Sequence, residues 1–229
     1  MKNITPKKRN NKFFKTTSCK QYTLSLENNI FKQIILMFEV LIAHIKNKVD
    51  LSEVQEARLA SFFISKKLRK KQYLLQEGDV CRHLSFVSKG LLKSYFSDEK
   101  GNEHINMFAL EGWWISDFNS FINQEQAVLN ITAVEETELL LISRDDYDTM
   151  MLQIPVMDRY FRILYQNSLV TKDYRLIVSS GYTAEEKYSQ LAQNNPELIR
   201  RLPHNLIASY LGLAPETVSR IRKKLSLKK

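Results

Sequence analysis

HNLIASYLGLAPETVSRIRKKL, residues His204–Leu225, is the stretch whose reading decides the fold. It reads as two short helices hinged at a glycine. Ile207, Ala208 and Leu211 mark one face of the first. Gly212 supplies the turn, because a left-handed backbone is cheapest for glycine. Pro215 stands where a first-turn proline is tolerated, so a new helix starts there. Val218, Ile221 and Leu225 recur at three- and four-residue spacing and face inward. Ala208 has to be small, because the two helices cross closely at that point. The second helix then carries Arg220, Arg222, Lys223 and Lys224 outward. The pattern is a helix-turn-helix whose second helix suits the major groove of double-stranded DNA.

The charge of the whole chain agrees with that reading. The 229 residues carry a formal net charge of +9, and it is unevenly spread. Residues 198–229 hold eight Lys/Arg against one acid, Glu216, and residues 1–29 hold seven against one, Glu27. The middle of the chain, 30–197, is left at −4. Basic ends on an acidic middle suit a nucleic-acid-binding terminus attached to a separate sensing or assembly domain. Hydrophobic content of 44% and charged content of 26% describe an ordinary soluble protein.

Several classes are disfavoured. Cys19 and Cys81 make neither a disulfide framework nor a metal-ligand spacing, and His44, His83, His104 and His204 are scattered. No nucleophile–base constellation or phosphate loop is visible, so an enzyme is not expected and no cofactor or metal is assigned. The apolar stretch Ile30–Ile45 is interrupted by Lys32, Gln33, Glu39 and His44 and lacks a cleavage site, so it reads as an amphipathic helix. It is too short and too charged to cross a bilayer, and a cytoplasmic protein is expected.

Upstream of the helix-turn-helix the pattern changes twice. Residues 1–29 are polar, basic and without periodicity, and are expected to be a flexible tail. Met37 is an alternative start. Helical pattern runs from about 30 to 47 and again from Leu51, capped by Asp50 or Ser52, to about Ile64. From Ser65 to about Ile142 short strands alternate with glycine turns, which predicts a β-roll. Arg144 begins a return to helix. From Val156 to about Ser179 the helix is uninterrupted, with Phe161, Leu164, Tyr165, Ser168, Leu169 and Lys172 on one stripe. That stripe suits a second copy of itself, so Phe161, Leu164, Ser168 and Leu169 are expected at a homodimer interface. Thr183-Ala-Glu-Glu opens another helix with a capping box. The fold class is α+β. Its expected divisions are a tail over 1–29, a β-roll with N-terminal helices over 30–153, a dimerisation helix over 154–180 and a helix-turn-helix domain over 181–229.

A roll, a long helix and a C-terminal helix-turn-helix in that order resemble the Crp/Fnr family of bacterial transcription regulators, over about residues 37–225. The resemblance rests on Glu77-Gly-Asp, Phe86-Val-Ser-Lys-Gly, Glu111-Gly-Trp-Trp-Ile-Ser-Asp, Ile207-Ala-Ser-Tyr-Leu-Gly and Pro215-Glu-Thr-Val-Ser-Arg-Ile-Arg. The Trp-Trp-Ile-Ser-Asp and Ala-Ser-Tyr-Leu-Gly pieces look like the branch common in Bacteroidetes. The family implies a homodimer, an effector-sensing roll resembling a cyclic-nucleotide-binding jelly roll, control of promoters, and RNA polymerase as a partner.

The chain departs from the family in two places. Members that bind cyclic nucleotide carry Gly-Glu, then Arg-Ser or Arg-Thr about ten residues later, and the Arg pairs with the cyclic phosphate. Here the first pair falls on Ser116-Asp117 and the second on Ala127-Val128, with no basic residue between Trp113 and Arg144. A buried phosphate without a cation is poorly compensated, so cyclic AMP is not the expected effector. The effector is left unassigned, with a candidate pocket at Trp113, Trp114, Ser116, Asp117, Ala127 and Val128. The clustered cysteines of the family's iron–sulfur sensors are missing as well. The second departure is that only four residues follow Leu225, so the family's β-hairpin wing is expected to be reduced or missing.

At the DNA, Glu216 and Arg220 share the outward face of the second helix, with Lys223 one turn on. Arg pairs bidentately with guanine and Glu accepts from cytosine N4, so these three are the expected base readers. Thr217, Ser219, Arg222 and Lys224 are the expected phosphate contacts. The family's base-reading Glu and Arg fall on Glu216 and Arg220, whereas its other base-reading Arg is replaced by Pro215. The rival reading is a small-molecule-binding module whose helix-turn-helix is vestigial; the basic outward face speaks against it.

Overall fold

The computed structural model describes the backbone of residues 16–226 and the side chains of residues 31–225. By its contacts the chain divides into two units at Leu36/Met37. The described part of the first is the opening of helix α1 (Thr16–Lys46); the rest of α1 and all later elements belong to the second. The helix corrects the expected flexible tail over residues 16–29. Sequence between Pro6 and Gly78 holds neither proline nor glycine, so nothing stops the helical pattern from extending upstream of residue 30. The remainder of the expected tail, residues 1–15, lies outside the described residues.

Helix α2 (Glu53–Ala60) starts at Ser52, whose hydroxyl meets the Gln55 N–H while the Gln55 side chain returns to the Ser52 N–H. This reciprocal pairing chooses Ser52 over Asp50 as the cap. Eight strands follow: β1 (Ile64–Leu68), β2 (Tyr73–Leu75), β3 (His83–Lys89), β4 (Leu92–Ser97), β5 (Glu103–Ala109), β6 (Trp114–Ile115), β7 (Asn130–Ala133) and β8 (Thr137–Ser143). They form two four-stranded antiparallel sheets, in the orders β1-β8-β3-β6 and β2-β7-β4-β5. Gly90 explains the end of the Phe86–Gly90 motif. Its φ is +100°, and a Cβ there would stand 2.5 Å from the Glu136 carbonyl oxygen, so only glycine lets the β3–β4 turn lie against β8.

Between β6 and β7 the chain makes helix α3 (Phe118–Asn123), which the sequence reading did not foresee. Helix α4 (Arg144–Gln153) leads to the long helix α5 (Val156–Gly181). Then come α6 (Ala184–Asn194), capped by Thr183 and Glu186, α7 (Pro196–Arg201), α8 (His204–Leu211) and α9 (Pro215–Ser226).

The outer face of the first sheet, with Phe86 at its centre, packs on α1 and on the first turns of α5. The Phe161 ring centroid lies 5.2 Å from that of Trp114 and 5.0 Å from those of Tyr147 and Tyr160, in tilted and edge-on pairs, and Trp114 lies 5.2 Å from Phe86. Phe161 is 2% exposed, which corrects its expected place at a dimer interface. A helix that begins on the roll spends its first apolar residues on its own core.

Tyr160 is fully buried and links three elements. The Trp114 indole N–H donates to its oxygen at 2.8 Å, and the oxygen lies 2.7 Å from His44 Nδ1. Indole can only donate, so the Tyr160 hydroxyl gives its own proton to His44, which must hold Nδ1 bare. Burial, and then the nearby Lys48 charge, push His44 down to about 4, in keeping with a neutral ring. The fold resists protonation that the unfolded chain accepts near 6.5. Stability is therefore full above pH 6.5 and falls as pH drops from 6.5 toward 4. Thermal melts across that range should show the loss in the wild type and a visibly shallower loss in His44→Gln. Parallel curves would remove His44 from the acid response.

Candidate nucleic-acid interface

Helices α8 and α9 are set by their own caps and by a small apolar cluster. Gly212 has φ +65°, and the Leu213 N–H reaches the Ala208 carbonyl while the Gly212 N–H reaches that of Ser209. This paired closure ends α8 and turns the chain into α9. Ile207, Ala208, Val218 and Ile221 are buried together with Tyr188, Leu191, Leu198 and Leu202. On α9 the buried pair fixes which face is left outside.

That outer face is a shallow open surface built from Pro215, Glu216, Ser219, Arg220 and Lys223, joined by His204 and Asn205 from the start of α8. All three expected base readers, Glu216, Arg220 and Lys223, lie on it. Ser219 lies on it too, between them in helical order, rather than on a flank as expected of a phosphate contact. Thr217 and Arg222 are half-buried and sit on opposite flanks of the stripe. Lys224 is tied to Glu185 of α6 by two contacts of 2.7 and 2.9 Å, so its ammonium is engaged within the chain instead of being offered to solvent alone. His204 and Asn205 were missed. They read in sequence only as a helix start, and it is the crossing of α8 over α9 that brings them to this face.

The helix-turn-helix is docked on its own roll. Strand β5 is an edge strand, and its backbone is met by Ser209 of α8. The Ser209 hydroxyl donates to the Glu103 carbonyl at 2.6 Å and accepts from the Ile105 N–H at 3.3 Å. Arg175 of α5 donates to the Asn106 carbonyl at 2.7 Å and lies 4.5 Å over the Tyr210 ring, which itself packs on Phe108. Arg201, at the end of α7, holds both Glu111 and Glu135 of the roll. The Glu111 hydrogen bonds raise the Arg201 guanidinium further above its ordinary value, against the opposing effect of burial. Leu91, Ile105 and Phe108 on the outer face of the second sheet complete the apolar contact.

The expected effector residues are not brought together. A cavity of about 490 Å³ opens between the two sheets, and of the six only Ser116 lines it. Asp117 is 3% exposed and consumed structurally: it caps α3 through the Ser120 N–H and accepts from the N–H groups of Val128 and Leu129 at 2.9 and 3.2 Å. Leaving such buried donors unmet costs about 1–3 kcal/mol each, which accounts for an acid at this position without a ligand. Ala127 is buried and its backbone pairs with Gly78 and Asp79, while Val128 is 64% exposed. Trp114 belongs to the aromatic core, and Trp113 is 40% exposed off the cavity wall. Trp114 opens β6, whereas Trp113 precedes the strand.

Among the described residues no helix is long and apolar enough to cross a membrane. Residues 65–153 match the model of the cyclic nucleotide-binding domain. The roll of this chain is therefore of the cyclic nucleotide-binding class. The regulatory protein HlyX of Actinobacillus pleuropneumoniae is 26% identical over 219 residues, 90% of this chain and 86% of that one. The transcriptional activator Anr of Pseudomonas protegens is 26% identical over 165 residues, 67% of each. The solved structure of FixK2 from Bradyrhizobium japonicum has a TM-score of 0.60 at 21% identity, covering 72% of this chain and 85% of that one, a likeness of fold. Over most of its length the chain is thus similar to transcription regulators of the Crp/Fnr type.

Proposed function

We propose that the chain is a homodimeric, sequence-specific DNA-binding transcription regulator of the cytoplasm, with RNA polymerase as its protein partner. The observation that carries the reading is the open stripe Glu216, Ser219, Arg220 and Lys223, held outward by the burial of Val218 and Ile221 on the opposite side of α9. A helix so presented enters the major groove with Arg220 aimed at a guanine and Glu216 at a cytosine amino group. Asn205 and His204 extend the surface toward the flanking backbone. Arg220→Ala should remove about 1–3 kcal/mol of discrimination at one base pair, read by competition with single-base variants of the mapped site. Arg222→Ala, on the flank, should weaken all sequences alike and lower the salt slope by about one. Uniform loss in both variants would make Arg220 a phosphate contact and leave sequence reading to Glu216 or to DNA shape.

The dimer is proposed through the distal part of α5. Leu169, Val170, Leu176 and Ile177 are 61, 68, 69 and 60% exposed on one helix, an apolar load unusual for solvent and suited to a second copy. Leu164 is half-buried against the roll's core, and Ser168 lies exposed beside Leu169. A parallel pairing would set two helix-turn-helix units on half-sites about 34 Å apart. Sedimentation should give a dimer for the wild type and a monomer for Leu169→Glu/Leu176→Glu with its melting temperature kept. A wild-type monomer at micromolar concentration ends this reading.

Cyclic AMP is not proposed as the effector, because Ala127 and Val128 offer its phosphate no cation and Asp117 already serves the backbone there. Calorimetry with cyclic AMP should give no binding heat; a micromolar Kd would overturn the assignment.

A further inference from the structure

Lys224 stands in the last turn of α9, on the flank that carries Thr217 seven residues earlier. Positive charge suits that end of a helix, where the dipole leaves carbonyls exposed. Its ammonium is already engaged. It lies 2.7 and 2.9 Å from the two carboxylate oxygens of Glu185, the second residue of α6. Glu185 precedes Tyr188 by one turn and Lys224 follows Ile221 by one turn. Tyr188 and Ile221 are buried in the one cluster that joins α6 to α9. The packing that turns the reading face outward therefore also holds this pair at the rim of the contact. Both side chains stay open to solvent, 52% of Lys224 and 56% of Glu185 being exposed. An exposed pair of this kind is weak and exchangeable, because water screens it and two long side chains are immobilised. The adjacent Glu186 is spent elsewhere: its carboxylate meets the Thr183 N–H and hydroxyl, both at 2.8 Å, and closes the cap of α6.

We propose that Glu185 is an internal stand-in for a DNA phosphate, competing with the duplex for Lys224 and holding down the affinity of α9 for every sequence; this role rests on the reading of α9 as a major-groove helix. A carboxylate with both oxygens on one ammonium fills the place that a backbone phosphate would take. The duplex gains Lys224 only when Glu185 has released it. Phosphate contacts carry no sequence information, so the competition lowers affinity without touching base choice. It lowers the salt response as well. A cation given to a phosphate releases a counterion from the duplex, and a cation kept by Glu185 releases none.

The test is binding of the full chain to two duplexes of unrelated sequence, read by fluorescence anisotropy across a salt series. Glu185→Gln keeps the shape of the side chain and removes its charge. It should tighten both duplexes alike, by about three- to tenfold at low salt, and steepen the dependence of log K on log salt by about one. Lys224→Ala should cost more in the Glu185→Gln background than in the wild type, because only there is the ammonium given wholly to the duplex. Glu186→Gln removes one charge from the same turn with the cap kept, and should bind as the wild type does. Circular dichroism and melting temperature report that every variant stays folded. A gain that survives Lys224→Ala, an equal gain in Glu186→Gln, or a gain confined to one duplex overturns the proposal. Duplex binding by the wild type that Glu185→Gln leaves unaltered or weakens removes the competition and keeps the regulator. No duplex binding by the wild type or any variant removes both.

Discussion

Tyr160 is the buried group on which the arrangement of the molecule turns. Its hydroxyl accepts a hydrogen bond from Trp114 and donates one to His44, so strand β6, helix α1 and helix α5 meet at one oxygen. The order of the three is forced: an indole can only donate, and a half-buried imidazole is cheaper neutral than charged. Around that oxygen the rings of Phe86, Trp114, Tyr147 and Phe161 supply apolar area in tilted and edge-on geometry. The first three turns of α5 are thereby fixed to the roll. The rest of α5 projects from a rigid base, and the exposed Leu169, Val170, Leu176 and Ile177 follow from that projection.

The far end of the chain is returned to the roll by polar contacts of a different kind. Edge strands leave backbone donors and acceptors open, a liability that proteins cover. Here Ser209 covers one donor and one acceptor of β5, and Arg175 covers a second acceptor. A serine in mid-helix is usually a weak choice, since its hydroxyl competes for backbone. In this chain the backbone it binds belongs to another element. The docking therefore costs α8 little, and it leaves the Glu216–Lys223 face pointing away from the buried side of α9.

How much of this was legible in the sequence depends on the range of each signal. The strands were readable because alternation and the turns near Gly78, Gly90, Gly101 and Gly112 are local. The caps at Thr183 and Gly212 were readable for the same reason, while that of α2 was narrowed only to Asp50 or Ser52. Helix α3 was not readable: its six residues make fewer than two turns, and Asp117 finds two of its partners eleven and twelve residues on. Phe161 shared a stripe with Leu164 and Leu169, and periodicity cannot tell where a long helix leaves its own core. Lys224 matched the basic face, but its partner Glu185 lies 39 residues earlier on another helix. The stripe Glu216, Arg220 and Lys223 came through because burial of Val218 and Ile221 leaves it no other side.

The segment Glu111–Asp117 joins these parts. Glu111 binds Arg201 of α7 and the Gly90 N–H of the β3–β4 turn. Trp114 reaches Tyr160 and so the base of α5. Ser116 stands on the cavity wall, and Asp117 holds α3 and the start of β7. Seven consecutive residues thus touch the clasp of the helix-turn-helix, the root of the long helix and the mouth of the cavity. A ligand changes an equilibrium only through contacts that differ between two states. A displacement of this segment would alter the Glu111–Arg201 and Trp114–Tyr160 contacts together, because both residues lie on it.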